Sequence, residues 1–369
     1  MNKVCHMTSA HPVYDIRIYH KECCSLAKLG YEVYLVAPNC KEEVNNGVHI
    51  VSTTVEGNGR FNRMWKKGRA VYKKAIEIDA DVYHFHDPEL LRFALRLKRK
   101  GKVVIYDAHE DVPKQILDKH WIPRFARKFI SFSFGRYERF VAKRISGVIS
   151  VTETICKRFK LANPRVEMVA NYPLMLETKA LREIEEEVVE GRVAYVGGLF
   201  PTRGVKELVQ AMEYLDAELV LAGTFSPPEF QEEVSKLKGW EKVDYRGQVS
   251  REELLHILKS THIGMVTLHP TASYKEALPI KMFEYMSAGI PFVASNFPFW
   301  KEIIDAENCG IVADPLSPVD IAKAIQWLFE HPERAKSIGN NGYKAFMTKY
   351  NWDKEEEKLH AFYKRLIHA

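Results

Sequence analysis

The sequence predicts an α/β protein of two doubly wound, Rossmann-like domains facing across a cleft. Three observations carry that expectation. At 369 residues the chain exceeds what one hydrophobic core usually serves. Short β-branched runs alternate with longer amphipathic segments almost from the first residue, the pattern of a parallel sheet covered on both faces. The alternation breaks once, around residues 171–190, and then begins again.

Met1 to Met7 carries one basic residue and a short, polar-studded apolar stretch, which reads as a first strand and not as a signal peptide. Residues 16–29, closed by Gly30, read as the next helix, and Val33-Tyr34-Leu35-Val36-Ala37 as a buried strand ended by Pro38-Asn39. Asp81 to His86 and Lys102 to Asp107 read as strands with a basic helix, 88–100, between them, and Gly147 to Val151 as another. Asn171-Tyr172-Pro173 signals a turn, and the acidic run from Glu183 to Glu190 reads as solvated. A second series of strands then runs through Val193–Gly198, Glu218–Gly223, Val243–Gly247, Ile263–Val266 and Pro291–Ala294. The expected domains are 1–178 and 190–348, with ligands at the carboxyl ends of the strands.

Composition narrows the function classes. No run approaches the roughly 20 apolar residues that span a bilayer. The six cysteines show neither a CxxC pair nor metal-ligand spacing, so they read as reduced thiols in a cytoplasmic protein. Residues 1–180 hold 32 Lys and Arg against 19 Asp and Glu, a balance of +13, while the remainder stands at −7. The first half is therefore the one drawn to anions. Most of that charge lies in 112–144, where Lys114, Lys119, Arg124, Arg127, Lys128, Arg136, Arg139, Lys143 and Arg144 interleave with Trp121, Ile122, Phe125, Phe129, Phe132 and Phe134. The segment reads either as a face for an anionic membrane or as a core helix with solvated basic residues. No nucleic-acid motif accompanies it, and nucleic acid is not an expected partner.

The most informative stretch runs from Tyr274 to Pro291, YKEALPIKMFEYMSAGIP. Glu276 and Glu284 are separated by seven residues, and a helix starting after Pro279 would free backbone N–H groups for a diphosphate. A carboxylate a turn or more into that helix can accept hydrogen bonds from ribose hydroxyls, and one in the preceding loop can grip a sugar. Two glutamates at this spacing also occur incidentally on amphipathic helices; the full phrase is far more specific. It resembles the E-x7-E signature of the retaining glycosyltransferases of family 4, with its continuation into an Ala-Gly-x-Pro turn.

The resemblance covers nearly the whole chain and implies the GT-B fold, a nucleotide-sugar donor (a UDP-sugar first) and transfer with retention. It implies no permanently bound cofactor and no essential metal. Donor contacts fall on Leu278, Pro279, Ile280, Lys281 and Glu284, with Glu276 on the sugar. Val196 to Gly204 resembles the family's Gly-rich phosphate loop and brings Gly197, Gly198 and Arg203. Here Gly198 stands where the family usually has Arg, and Arg203 where it has Lys, so one of two cations is missing. Lys281 is the better substitute and Lys206 the other; a plain strand–turn–helix is the alternative reading. Tyr245 to Ser250, with Gly247, followed by Arg251-Glu252-Glu253-Leu254, resembles the loop beside the base, and His262 fills a position that is commonly Asp. Tyr350-Asn351-Trp352 resembles the start of a closing segment, making 349–369 a helix that packs back on the first domain.

On the first half, Ser9 to Arg17 resembles a bacterial H-x-x-x-D-x-R loop. Asp15 and Arg17 read equally as acceptor-side or donor contacts and as a cap with its flank. His84-Phe85-His86-Asp87 ends one strand and Asp107-Ala108-His109-Glu110 the next. Two imidazoles alternating on a strand supply no third ligand nearby in sequence, so no metal is expected. By resemblance His109 contacts the donor sugar near the reaction centre, while Asp87 and Glu110 read as acceptor-side groups, helix caps or partners of a buried cation. His109, Glu276, Arg203 and Lys281 are thus the candidate catalytic residues. The expected acceptor is a glycan or polyprenyl-linked oligosaccharide in polysaccharide, capsule or O-antigen assembly, at the inner face of the plasma membrane or in the cytoplasm. A nucleotide-sugar epimerase or a noncatalytic nucleotide-sugar-binding protein of the same architecture are the alternatives.

Overall fold

The computed structural model describes residues 2–54, 63–119 and 122–368; Trp121 of the basic segment lies outside them. The chain divides into two compact units, Met1–Asn171 with Asp353–Ala369, and Tyr172–Trp352.

In the first unit an eight-stranded sheet runs β3-β4-β2-β1-β5-β6-β7-β8. The strands are β1 (Lys3–Met7), β2 (Glu32–Pro38), β3 (Glu43–Asn45), β4 (Val48–Thr53), β5 (Val82–Phe85), β6 (Val103–Ala108), β7 (Gly147–Ser150) and β8 (Val166–Met168). All neighbours pair in parallel except β3 with β4, a hairpin absent from the sequence reading. Asn46 and Gly47 both adopt positive φ between its strands, the geometry of a two-residue Asn-Gly turn. The central strands are apolar on both sides because helices cover both faces; Val4, Cys5, Val82, Phe85, Val104 and Ile105 are fully buried. The terminal helix Trp352–Ile367 groups with this unit from Asp353 onward, and Phe362 and Leu366 pack where a Cβ on Gly147 would stand.

The second unit repeats the theme with a six-stranded parallel sheet, β11-β10-β9-β12-β13-β14. These are β9 (Arg192–Val196), β10 (Glu218–Ala222), β11 (Val243–Gly247), β12 (Ile263–Val266), β13 (Phe292–Ser295) and β14 (Gly310–Ala313). The break between the two series of strands is shorter than the sequence suggests, because Met175–Glu183 forms a helix that belongs to this unit. Thr178 and Leu181 anchor it, and only the residues beyond it stay out of regular structure.

In both sheets the strand order reverses beside the first strand, between β1 and β5 and between β9 and β12. Loops leaving adjacent strands in opposite directions open a crevice at that point, the usual ligand position of doubly wound sheets.

The helix Arg124–Ala142 is not a core helix. Its buried residues are only Glu138, Val141 and Ala142, whereas Phe125, Phe129 and Phe132 are 87%, 73% and 64% exposed. Glu138, the one acid between residues 119 and 144, turns inward to Arg158 and Tyr106. The outward face is left aromatic and basic.

Candidate functional site

The carboxyl end of the second sheet is assembled from close backbone contacts. After β9 the chain turns at Gly197 (φ 125°), whose N–H donates to Ala222 O at 2.8 Å, and Gly223 N–H donates to Gly247 O at 2.6 Å. A Cβ on Gly204 would meet Thr267 O, at the end of β12, at 1.8 Å, so only glycine lets the phosphate-loop candidate close down on the neighbouring strand. Gly198 is confined differently: a Cβ there would strike the ring of Phe200 at 2.4 Å.

Pro279 opens the helix Ile280–Ala288, with no side chain capping its first turn. Two anchors fix this element. Tyr285 Oη donates to Ala194 O of β9 at 2.9 Å, and Trp300 Nε1 donates to Ala277 O at 2.7 Å, holding the loop that carries Glu276 and Leu278. Glu276 ends a short 3-10 turn, Tyr274–Glu276, and Ile280 is partly exposed at the helix start.

Lys281 and Arg203 converge beside this helix start. Lys281 is buried, its Nζ lies 3.7 Å from the Tyr195 ring centroid and 3.3 Å from where a Gly197 Cβ would be, and it has no hydrogen-bond partner among the described residues. Burial, then the positive charge of Arg203, pushes its amine well below the usual lysine range, against a weaker pull from Glu284. Arg203 lies over the Tyr274 ring at 5.2 Å, and its buried Nε is also without a partner. Lys206, the other cation considered for this role, is committed elsewhere, to Glu233.

Glu284 is not idle. Arg251 Nη1 donates to its Oε1 at 3.1 Å, while the same guanidinium donates through Nε to Glu177 Oε1 at 2.9 Å. Arg251 was not among the residues singled out from the sequence; it lies in the base-loop stretch, but its link to Glu284 crosses 33 positions.

The first unit holds a different arrangement. Arg17 is buried and grips Asp107 with two bonds, Nε to Oδ2 at 2.9 Å and Nη2 to Oδ1 at 3.0 Å, and donates a third to Val169 O. Burial alone would raise the Asp107 carboxyl, but Arg17 and then His109 hold it well below the carboxylate range. Asp107 Oδ2 in turn accepts from His109 Nε2 at 2.9 Å, which fixes the ring of the candidate sugar contact. The sequence reading chose His109, just past the end of β6, and passed over Asp107, two residues earlier on that strand.

Asp15 caps the helical segment that begins at Ile16, accepting from Arg17 N and Ile18 N at 2.9 Å each. Burial opposes its charge, yet His11 and the Ile18 N–H outweigh it and depress its pKa. Asp87 is buried and ties down the first loop, its Oδ2 accepting from Thr8 Oγ1 at 2.9 Å and from the N–H groups of Ser9 and Ala10. Glu110 is exposed and pairs with Gln115. Of the acceptor-side candidates, then, Arg17, Asp15 and Asp87 all have partners within the chain.

Comparison with known proteins agrees with the geometry. The two sheets and their loops define the GT-B architecture, and the chain is a glycosyltransferase. Residues 20–171 match the family described as Glycosyltransferase Family 4, and residues 178–345 match Glycosyl transferases group 1. The chain is 22% identical over 305 residues to an MMP alpha-(1->4)-mannosyltransferase of Mycolicibacterium hassiacum, covering 78% of this chain and 71% of the relative. Among solved structures it superposes on a sucrose-phosphate synthase from Thermosynechococcus elongatus with TM-score 0.77 at 18% identity, each chain covered completely (100% and 100%). It also superposes on the Anabaena protein Alr3699/HepE in complex with UDP-glucose, TM-score 0.72 at 14% identity, over 99% of this chain and 100% of that one. At these identities the structural likeness speaks for the fold.

Proposed function

We propose that this glycosyltransferase moves a sugar, with retention of configuration, from a nucleoside-diphosphate sugar to a glycan or lipid-linked oligosaccharide acceptor. One observation carries the reading: the Nζ of buried Lys281 and the Nε of half-buried Arg203 are without hydrogen-bond partners among the described residues, beside the uncapped start of the helix Ile280–Ala288. A buried amine without a counter-charge is costly, and a diphosphate removes the cost by accepting from it and from the helix amides. The similar HepE protein, described in complex with UDP-glucose, supports a donor of this class.

In this assignment Glu284 takes the ribose hydroxyls, Arg251 being its partner before the donor arrives. Glu276 takes the transferred sugar, and Gly197, Gly198 and Gly247 let backbone approach the nucleotide. The C1–O bond breaks as the acceptor hydroxyl attacks from the same face, its proton passing to the departing phosphate. Catalysis rests on positioning and on Lys281 and Arg203 neutralising the leaving diphosphate, so the reading gives the donor no metal requirement. Lys281 replaces the charge that Gly198 does not supply.

The aromatic and basic face of Arg124–Ala142 is assigned to an anionic membrane surface carrying the acceptor. The described residues contain no helix long and apolar enough to cross a membrane, so attachment would be peripheral.

Incubating the chain with UDP-, GDP- and dTDP-sugars, with and without Glu284→Ala, tests the assignment through release of nucleoside diphosphate. Release from one donor, lost in the variant, is the expected result. Turnover of donor without release of diphosphate would favour an epimerase, and absence of both binding and release would end the reading.

A further inference from the structure

The switch point of the first sheet contains a second constellation, with no part in the assignment above. His6 on β1, His84 and His86 at the end of β5, and Glu22 on the helical segment after β1 are all buried, and one ligand atom from each lies within 4.8 Å of all the others. His84 and His86 supply two imidazoles from one strand, as the sequence indicates. The fold adds the third and fourth donors from 78 and 62 positions away.

His6 Nδ1 and His86 Nε2 lie within hydrogen-bond distance of each other at 2.9 Å, whereas Glu22 stands off from all three rings. Glu22 Oε2 lies 3.9 Å from His6 Nδ1, 3.7 Å from His84 Nδ1 and 4.0 Å from His86 Nε2. These are too long for hydrogen bonds, so a protonated Glu22 has no imidazole to donate to. Both carboxylate oxygens are without a hydrogen-bond partner, although Arg17 Nη2 stands 3.1 Å from Oε1, outside hydrogen-bond alignment. A carboxylate in this state is expensive unless a cation completes it. A tetrahedral ion with bonds of about 2.0–2.1 Å spaces its ligand atoms by about 3.3–3.4 Å. Four of the six separations, from 2.9 Å between His6 Nδ1 and His86 Nε2 up to 4.0 Å, bracket that value, and all six lie within 4.8 Å.

The outer contacts of two of the three imidazoles fit as well, while His84 Nε2 is buried without a partner among the described residues. Metal-bound imidazoles commonly donate their other nitrogen to a carboxylate or hydroxyl. His86 Nδ1 lies 3.3 Å from Asp107 Oδ2, and His6 Nε2 lies 3.4 Å from Tyr363 Oη. Tyr363 Oη is also 2.7 Å from His84 Nδ1, and coordination through that nitrogen would leave the hydroxyl to His6 alone.

We propose that His6, Glu22, His84 and His86 bind one divalent transition-metal ion of the zinc class in a closed, structural site. Three imidazoles and one carboxylate suit such an ion, and full burial leaves no open position for substrate. The ion would fix β1, β5 and the following helical segment, and through His86 and Asp107 would steady His109. This proposal rests on the first unit alone and stands or falls independently of sugar transfer.

The test is metal content by mass spectrometry of the full chain, expressed with zinc supplementation and dialysed against EDTA. The expected result is one zinc per chain, reduced to background by Glu22→Gln or His84→Ala, with Asp107→Asn weakening retention about 10–100-fold. If those variants do not fold, wild-type chain unfolded in guanidinium with EDTA and refolded is titrated with Co2+. A tetrahedral Co2+ visible spectrum saturating at one equivalent is then expected, together with a rise in Tm on adding Zn2+. A cooperatively folded wild type with trace metal, no such spectrum and no rise in Tm overturns the proposal. So does metal retained equally by both folded ligand variants.

Discussion

The two sheets share a strand order around the switch point but manage buried charge in opposite ways. In the first unit the buried cation Arg17 is matched by Asp107, Asp107 accepts from His109, and the group left without a hydrogen-bond partner is an acid, Glu22. In the second unit Lys281 and the Nε of Arg203 are buried without hydrogen-bond partners, and the nearest acid, Glu284, is given to Arg251. Matched charge holds a scaffold, whereas unmatched charge marks where a ligand of opposite sign completes the structure. Position at the carboxyl end of a parallel sheet offers both units a crevice; the charge balance indicates which one waits for an anion.

The same substitution on each side should break this contrast in opposite directions. Arg17→Met leaves Asp107 buried without its bidentate partner and should cost about 3–5 kcal/mol of stability, read by denaturant unfolding. Lys281→Met should abolish productive donor turnover, lowering kcat/KM by about 100–1,000-fold. Yet it should stabilise the donor-free chain by about 1–3 kcal/mol, because an unpaired buried amine is removed. Loss of stability in both variants would erase the distinction.

Glu284→Ala should weaken nucleotide binding by about 10–100-fold through loss of charge-assisted bonds to ribose, measured by calorimetry. The smallest effect concerns the exposed helix. Arg127→Glu should lower binding to anionic vesicles by roughly 1 kcal/mol or more at low salt, in a sedimentation assay. Phe129→Ala should lower it at every salt concentration, since its contribution is apolar.

The pH dependence follows from Lys281. Its depressed folded value means that the unfolded chain binds the extra proton at any pH between that value and the ordinary 10.5. Donor-free stability therefore rises with pH across that window relative to Lys281→Met, and the difference vanishes in the variant. A bound diphosphate restores the charge, so binding in the same window should take up a proton.

Much of this was readable in the sequence where structure is local. Buried strands such as Val33–Ala37 and Val103–Ile105 announce themselves by β-branched runs, and the phrase from Glu276 to Pro291 places a helix start at Pro279. The short hairpin of β3 and β4 escaped because its strands are brief and mostly polar, although Asn46-Gly47 is a turn signal. The helix Met175–Glu183 escaped because few apolar residues mark its buried side. In the sites, residue types were readable but pairings were not. Arg17 with Asp107 spans 90 positions, and Arg251 with Glu177 spans 74. Arg17 and Asp87 look like ligand contacts in the sequence because their partners lie far along the chain, whereas Asp15 takes the helix cap that the sequence already offers as its other reading.

The central claim is that the unmatched cations of the second unit are the donor diphosphate site. Calorimetric titration of wild type and Lys281→Met with UDP, GDP and dTDP, in two buffers of different ionisation enthalpy, tests it most directly. The account predicts binding of at least one nucleotide with proton uptake in the wild type, and loss of both in the variant. Equal binding by the two proteins, with no proton taken up, would contradict it.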